Sequence, residues 1–193
     1  MARDDLSAVQ ADPHIPPVSL LGEVTDESVR TLIEQLRDAE KQGEDPVTVE
    51  ISTLGGDAEA ARRMVLEIDL ARQRLAPRRL LFLGKTTVYS AGVTLMAGFP
   101  REDRFLTRDT MLLIHCRQLD ETLEISGPLR GSRAKVQALL HQIDIGVKLE
   151  VENFQRLIEG SDVTMDELLE KALYNWYVPA EVALERGLVA GLI

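Results

Sequence analysis

The sequence predicts an α/β fold, a parallel sheet covered by helices, with one long helix at about 129–158. Two observations predict it. Within the first hundred residues, apolar runs of strand character are followed three times by apolar residues at helical spacing, the pattern of parallel strands joined by helical crossovers. Farther on, Val136, Leu140, Ile143, Val147, Val151, Phe154 and Ile158 keep a three-four spacing. A helix from Leu129 to Ile158 would run about 45 Å at ~1.5 Å per residue, long enough to project and meet a neighbour.

Residues 1–17 carry Asp4, Asp5, Asp12, Pro13, Pro16 and Pro17 with little periodicity and read as a flexible arm, so the folded domain is expected to span 18–193. VSLLGEV is the first strand. After Thr25 or Asp26 as N-cap, Val29, Leu32, Ile33 and Leu36 mark the first helix. Val47, Val49 and Ile51 alternate as a strand, turn through Gly55 and Gly56, and lead into a helix marked by Ala61, Met64, Val65, Ile68 and Leu75. The third step pairs Leu80 to Leu83 with a short helix that begins at Ser90 or just after it. Two short strands follow at Arg104 to Thr107 and Met111 to His115, with a weaker strand candidate at Thr122 to Ile125 before the long helix. Thr164 with Glu167 fits a capping box, and Pro179 with Gly187 brackets a last helix before a closing strand in LVAGLI.

Composition narrows the function classes. The 193 residues, 45% of them hydrophobic, suit one globular domain without staples. A formal net charge of −10 disfavours a nucleic-acid partner, which needs a basic face. Cys116 stands alone and cannot form an intrachain disulfide, no secretory signal is evident at the start, and no run approaches the ~20 apolar residues of a membrane span. A cytoplasmic address without membrane attachment is the expectation.

Few side chains are placed to do chemistry. Ser90 precedes an apolar helical run, where a serine is more often an N-cap than a nucleophile, although a helix N-terminus also supplies N–H groups to an oxyanion. His115, at the end of an apolar strand, is the best general-base candidate, since His14 lies in the arm and His141 faces Asp144 one helical turn away. Cys116 would point to the opposite face from His115 and reads as a small buried hydrophobe. GKTT at 84–87 lacks the first glycine of a phosphate-binding loop, and three scattered histidines with one cysteine offer no metal-ligand spacing, so neither a cofactor nor a metal is expected. The Gly55-Gly56 pair permits close backbone approach to a substrate.

Taken in order, these pieces resemble the Clp protease proteolytic-subunit family, self-compartmentalising serine peptidases of the crotonase-like fold, over nearly all of 18–193. ISTLGGDAEA is similar to the family's Pro-Gly-Gly strand-turn-helix with Leu54 in place of proline, and SAGVTLMAG to its nucleophile segment. MLLIH matches its Met-Ile-His segment 25 residues after Ser90, and VPAEVALERGLVAGLI its closing segment. The resemblance implies a serine endopeptidase with Ser90 as nucleophile, His115 as general base, and the backbone N–H groups of Gly56 and Ala91 as oxyanion hole. It also implies a homo-oligomeric ring of seven subunits, stacked as a double ring through the long helix as a handle, acting on proteins or peptides fed by an AAA+ ATPase unfoldase.

The departures from the family pattern shape the alternatives. Counting back from Gly187, the catalytic aspartate falls on Asn175, which can orient a histidine but brings no charge; in serine proteases that exchange costs about 10⁴ in kcat. Two extra residues lie between Gly84 and Ser90, and RQLDETLEISGPL lacks the glycine-rich look of the family's substrate-pairing strand. A degenerate subunit that builds or regulates a ring with a paralogous subunit is therefore the second reading. A crotonase-type acyl-CoA enzyme ranks below it, for want of an acidic acid/base and an adenine pocket, as does a serine-lysine dyad using Lys85 or Lys135.

Overall fold

A computed structural model describes residues 18–43 and 46–193; the predicted arm at 1–17 lies outside the described residues. Strand β1 (Val18–Leu21) leads through Thr25 into helix α1 (Asp26–Glu40). Thr25 caps it in a reciprocal box: its hydroxyl accepts from the Ser28 N–H while the Ser28 hydroxyl accepts from the Thr25 N–H. Strand β2 (Val47–Thr53) and helix α2 (Ala58–Leu75) form the second step, with Asp57 accepting from the Ala60 N–H at 2.6 Å as N-cap. Strand β3 (Leu80–Tyr89) and helix α3 (Ala91–Ala97) form the third. Then come β4 (Arg104–Leu106), β5 (Met111–Ile114), α4 (Leu129–Ile158), α5 (Met165–Ala172), β6 (Trp176–Pro179), α6 (Ala180–Glu185) and β7 (Gly191–Leu192).

Among the described residues the strands form one sheet in the order β1-β2-β3-β4-β7, with β5 and β6 branching from the far half of β3. Every pairing is parallel except β5 with β6. The α/β class with a mostly parallel sheet, covering helices and a handle-like helix over Leu129–Ile158 is thus the observed architecture. No helix is long and apolar enough to cross a membrane among the described residues.

Strand β3 runs six residues past Leu83, the expected end of its apolar run, because it is bulged. Ile51 faces Gly84 but Thr53 faces Val88, so β3 spends two more residues than β2 over the same distance. Thr86 takes a positive φ of 56° at the bulge. Before it, β3 pairs with β4; beyond it, β3 pairs with β5, which is how the sheet branches. Lys85, in the bulge, is held by Glu50 of β2 at 2.5 Å, and Lys135 lies exposed on α4.

One expectation needs correction, and two features were not foreseen. Thr122–Ile125 forms no strand; 117–128 is irregular and largely exposed, with no neighbouring strand to take its backbone groups. The short antiparallel strand β6 was not expected, since WYVP has no pattern of its own and is a strand only by pairing with β5. On α4 the apolar stripe does not turn inward along its whole length: Leu140, Ile143 and Val147 are 54%, 41% and 52% exposed, and the buried line near its end is Glu150, Phe154 and Leu157.

Candidate active site

Ser90 sits where β3 hands over to α3, and the handover is abrupt. Its backbone adopts φ 53°, ψ −111°, a region that costs a non-glycine residue ~1–3 kcal/mol and persists only when its surroundings impose it. Here the Ser90 N–H donates to the Leu113 carbonyl at 2.9 Å, while the Ser90 carbonyl accepts from Val93 and Thr94 as the first turn of α3. Gly92 lets that turn press onto the sheet, since a Cβ there would lie 2.6 Å from a methyl carbon of Thr53. Ser90 thus occupies the N-cap position, yet its hydroxyl makes no capping bond and has no hydrogen-bond partner among the described residues. A serine on a strained strand-to-helix turn is a known way to present a nucleophile.

The register of β3 and β5, in which Tyr89 faces Leu113, sets Ser90 opposite Ile114, one residue before His115 on the neighbouring parallel strand. The His115 Nδ1 lies 2.7 Å from the Cys116 carbonyl oxygen. A carbonyl only accepts, so Nδ1 carries the proton and Nε2 is left with its lone pair, the tautomer a general base requires. The structure shows no hydrogen bond between His115 and Ser90 among the described residues.

Asn175 approaches from the other side. Ile114 faces Trp176 in the antiparallel β5–β6 pair, and one further step of that register sets Asn175 opposite His115. Asn175 itself turns sharply, with φ 60°, is exposed, and makes no side-chain hydrogen bond to His115 among the described residues. The ring nitrogen that an acidic third residue would hold is held by a backbone carbonyl instead.

The double glycine forms the opposite wall. Gly55, at φ 113°, is packed against the serine so tightly that a Cβ there would lie 2.9 Å from Ser90 Cβ and 3.3 Å from its Oγ. Thr53 pins this turn, its hydroxyl accepting from the Gly55 N–H at 3.0 Å. Gly56, at φ 142°, is exposed and pairs with Val24. Neither the Gly56 N–H nor the Ala91 N–H donates to any described residue, so both are available to an incoming acceptor. Beside this wall lies a cleft of about 510 Å³ lined by Gly22, Glu23, Thr53, Leu54, Gly55 and Thr87. Tyr89 and Tyr177 meet edge to face at 5.9 Å, adding aromatic bulk to the strand just before the serine.

Residues that the sequence did not bring forward stand behind His115. Buried Glu150 of α4 accepts a short hydrogen bond from the Arg117 N–H, and the Arg117 guanidinium reaches Glu59 of α2 at 2.6 Å. Arg117 holds the Glu59 carboxyl below its ordinary range. Burial first, and then the charge and hydrogen bond of Glu150, push the Cys116 thiol up, which makes it a poor thiolate and leaves Ser90 as the candidate nucleophile. The one hint of Glu150 in the sequence is its spacing of four and seven residues from Phe154 and Leu157.

The chain is similar to a curated protein, the ATP-dependent Clp protease proteolytic subunit 2 of Pseudomonas aeruginosa, at 21% identity over 176 residues, which is 91% of this chain and 80% of that protein. No family model matches the chain. That relative is the proteolytic subunit of an ATP-dependent protease.

Proposed function

We propose that this chain is a serine peptidase subunit in which Ser90 attacks the peptide carbonyl and His115 Nε2 takes the hydroxyl proton. The Gly56 and Ala91 N–H groups receive the oxyanion that develops on the carbonyl oxygen, and Asn175 occupies the third position beside the ring. The observation that carries this reading is the strained Ser90 on the β3–α3 turn, with a free hydroxyl, one residue from a histidine whose Nε2 is unoccupied. The P. aeruginosa relative, an ATP-dependent protease subunit, supports a peptidase activity. We extend the proposal to a ring assembly fed by an ATPase partner, with unfolded proteins or peptides as substrate. The exposed Leu140, Ile143 and Val147 on α4 are apolar surface that a second subunit would cover.

Intact-mass measurement after incubation with a fluorophosphonate tests the reading. One adduct per subunit is expected on the wild-type chain and none on Ser90→Ala. No adduct on a correctly assembled oligomer would instead favour a structural or regulatory subunit, a reading supported by the uncharged Asn175 and the absence of a Ser90–His115 hydrogen bond among the described residues.

A further inference from the structure

Glu150 is the one acidic side chain buried in α4, and its place is not explained by packing. It reaches out of the helix to the N–H of Arg117, while the carbonyl that holds His115 Nδ1 belongs to Cys116. These two groups are the two ends of one peptide bond. A trans peptide is planar, and its C=O and N–H point in opposite directions. Fixing the N–H on Glu150 therefore fixes the carbonyl on His115.

We propose that Glu150 is a positioning residue for His115, acting through the Cys116–Arg117 peptide to hold the Nδ1–H tautomer and to lend its charge to the imidazolium. The proposal rests on the peptidase reading above. The chain of hydrogen bonds runs from His115 Nδ1–H to the Cys116 carbonyl, through the amide, and from the Arg117 N–H to the Glu150 carboxylate. Hydrogen bonds in series polarise one another, so a carboxylate on the N–H end makes the carbonyl a stronger acceptor for a positively charged ring. Asn175 brings no negative charge, and Glu150 brings one by a longer path. The other charged groups around this peptide are the Arg117 guanidinium from the loop and Glu59 from α2, which pair with each other, and the Cys116 thiol, which is held neutral.

The experiment combines nitrogen NMR of ¹⁵N-histidine-labelled full chain with pH-dependent peptide hydrolysis, on wild type and Glu150→Gln. Glutamine keeps the shape and an acceptor oxygen but not the charge. In the wild type, His115 is expected to be protonated at Nδ1 when neutral. In Glu150→Gln the imidazolium loses a favourable charge, so the acid limb of kcat/KM moves to lower pH. The value of kcat falls by about tenfold or more, part of the 10²–10⁴ that a well-placed general base supplies, with KM nearly unchanged. An Nε2-protonated ring in the wild type, or a ring pKa and acid limb that stay in place in Glu150→Gln, would overturn the proposal. The wild-type tautomer needs no variant, so a misfolded Glu150→Gln leaves that arm decisive. A chain with no peptidase activity would sink the reading of Ser90, while the tautomer and ring pKa would still decide the part played by Glu150.

Discussion

Gly55→Ala should separate a serine that is held in place from one that is merely nearby. The new Cβ would lie 2.9 Å from Ser90 Cβ, against the ~3.5–4.0 Å at which carbon atoms rest, so something must move by more than half an ångström. Neither side yields readily. Gly55 is tied by its N–H to Thr53 and by its carbonyl to the Val24 N–H at 2.9 Å, and Ser90 by its N–H to Leu113. Overpacking of this kind costs ~1–3 kcal/mol, and an alanine at φ 113° adds ~1–3 kcal/mol of backbone strain, so the total is about 2–6 kcal/mol. Gly22→Ala is the matched control, with φ 111° and nothing within 4 Å of the added carbon. It should show the strain alone. Urea unfolding followed through Trp176, the single tryptophan, reads the stabilities, and the rate of fluorophosphonate labelling reads the serine. Gly55→Ala is expected to be less stable than Gly22→Ala by ~1–3 kcal/mol and to label far more slowly. Equal stability and equal labelling would refute the close packing of the glycine turn on Ser90.

Three further outcomes follow. Arg104 is 2% exposed and donates at 2.8 Å to the carbonyls of Phe99, Arg156 and Leu157 and at 3.3 Å to that of Leu188; burial pushes it down to about 10, so it is still charged at neutral pH. Arg104→Met leaves those carbonyls without donors and should cost about 3–5 kcal/mol in denaturant unfolding; a loss under 1 kcal/mol would show that they find other donors. Arg186, with Lys171 behind it, holds the half-buried Glu167 carboxyl at about 2, below its ordinary 4.5. Because the folded value is depressed, the stabilisation is complete above the ordinary value and is lost as pH falls toward 2, so unfolding midpoints of wild type and Glu167→Gln should converge over that window. Leu140→Glu with Val147→Glu, both on the exposed stripe of α4, should give a smaller particle in light scattering with unchanged helix content; an unchanged particle would show that the stripe is not an interface.

The parts of the fold read most directly from the sequence are those with local causes. The long helix runs from Leu129 to Ile158 as its periodicity predicts, and Thr25 and Thr164 cap the helices they precede. The box proposed for Thr164 is only half made. Its hydroxyl accepts from the Glu167 N–H at 3.2 Å, but the Glu167 carboxylate is taken by Arg186 and Lys171, a tertiary preference no local pattern contains. Which part of the α4 stripe turns inward is likewise outside any local pattern. Periodicity finds an apolar stripe but not whether this chain or another molecule covers it, and the stripe through Val147 and Val151 is offset by one position from the buried line through Glu150, Phe154 and Leu157. At the candidate site, Ser90, His115 and the glycines stood out as residue types, and Asn175 only through the family resemblance, counted back from Gly187. The Cys116 carbonyl and the Arg117 N–H did not, because backbone groups are the same in every residue and only the folded register shows which of them meet a ring or a carboxylate.

The bulge in β3 shows how a strand can carry extra length and still set a serine on the turn into the next helix. Side chains on a strand alternate between faces, so inserting one residue would send everything beyond it to the wrong side, whereas two preserve the alternation. The register shift between Gly84 and Val88 is two residues. Phe82 and Val88, on either side of it, both lie in the main core, while Leu81 and Leu83 pack with Phe105 in a separate cluster. Ser90 has the parity of Phe82 and Val88, and so reaches the turn on the side where α3 begins and Gly55 waits. The cost is local, a positive φ at Thr86 and an ammonium at Lys85 that needs Glu50. The extra length is thus absorbed before the serine, and the strand that follows can still pair with β5 in the register that sets Ser90 opposite Ile114, one residue from His115.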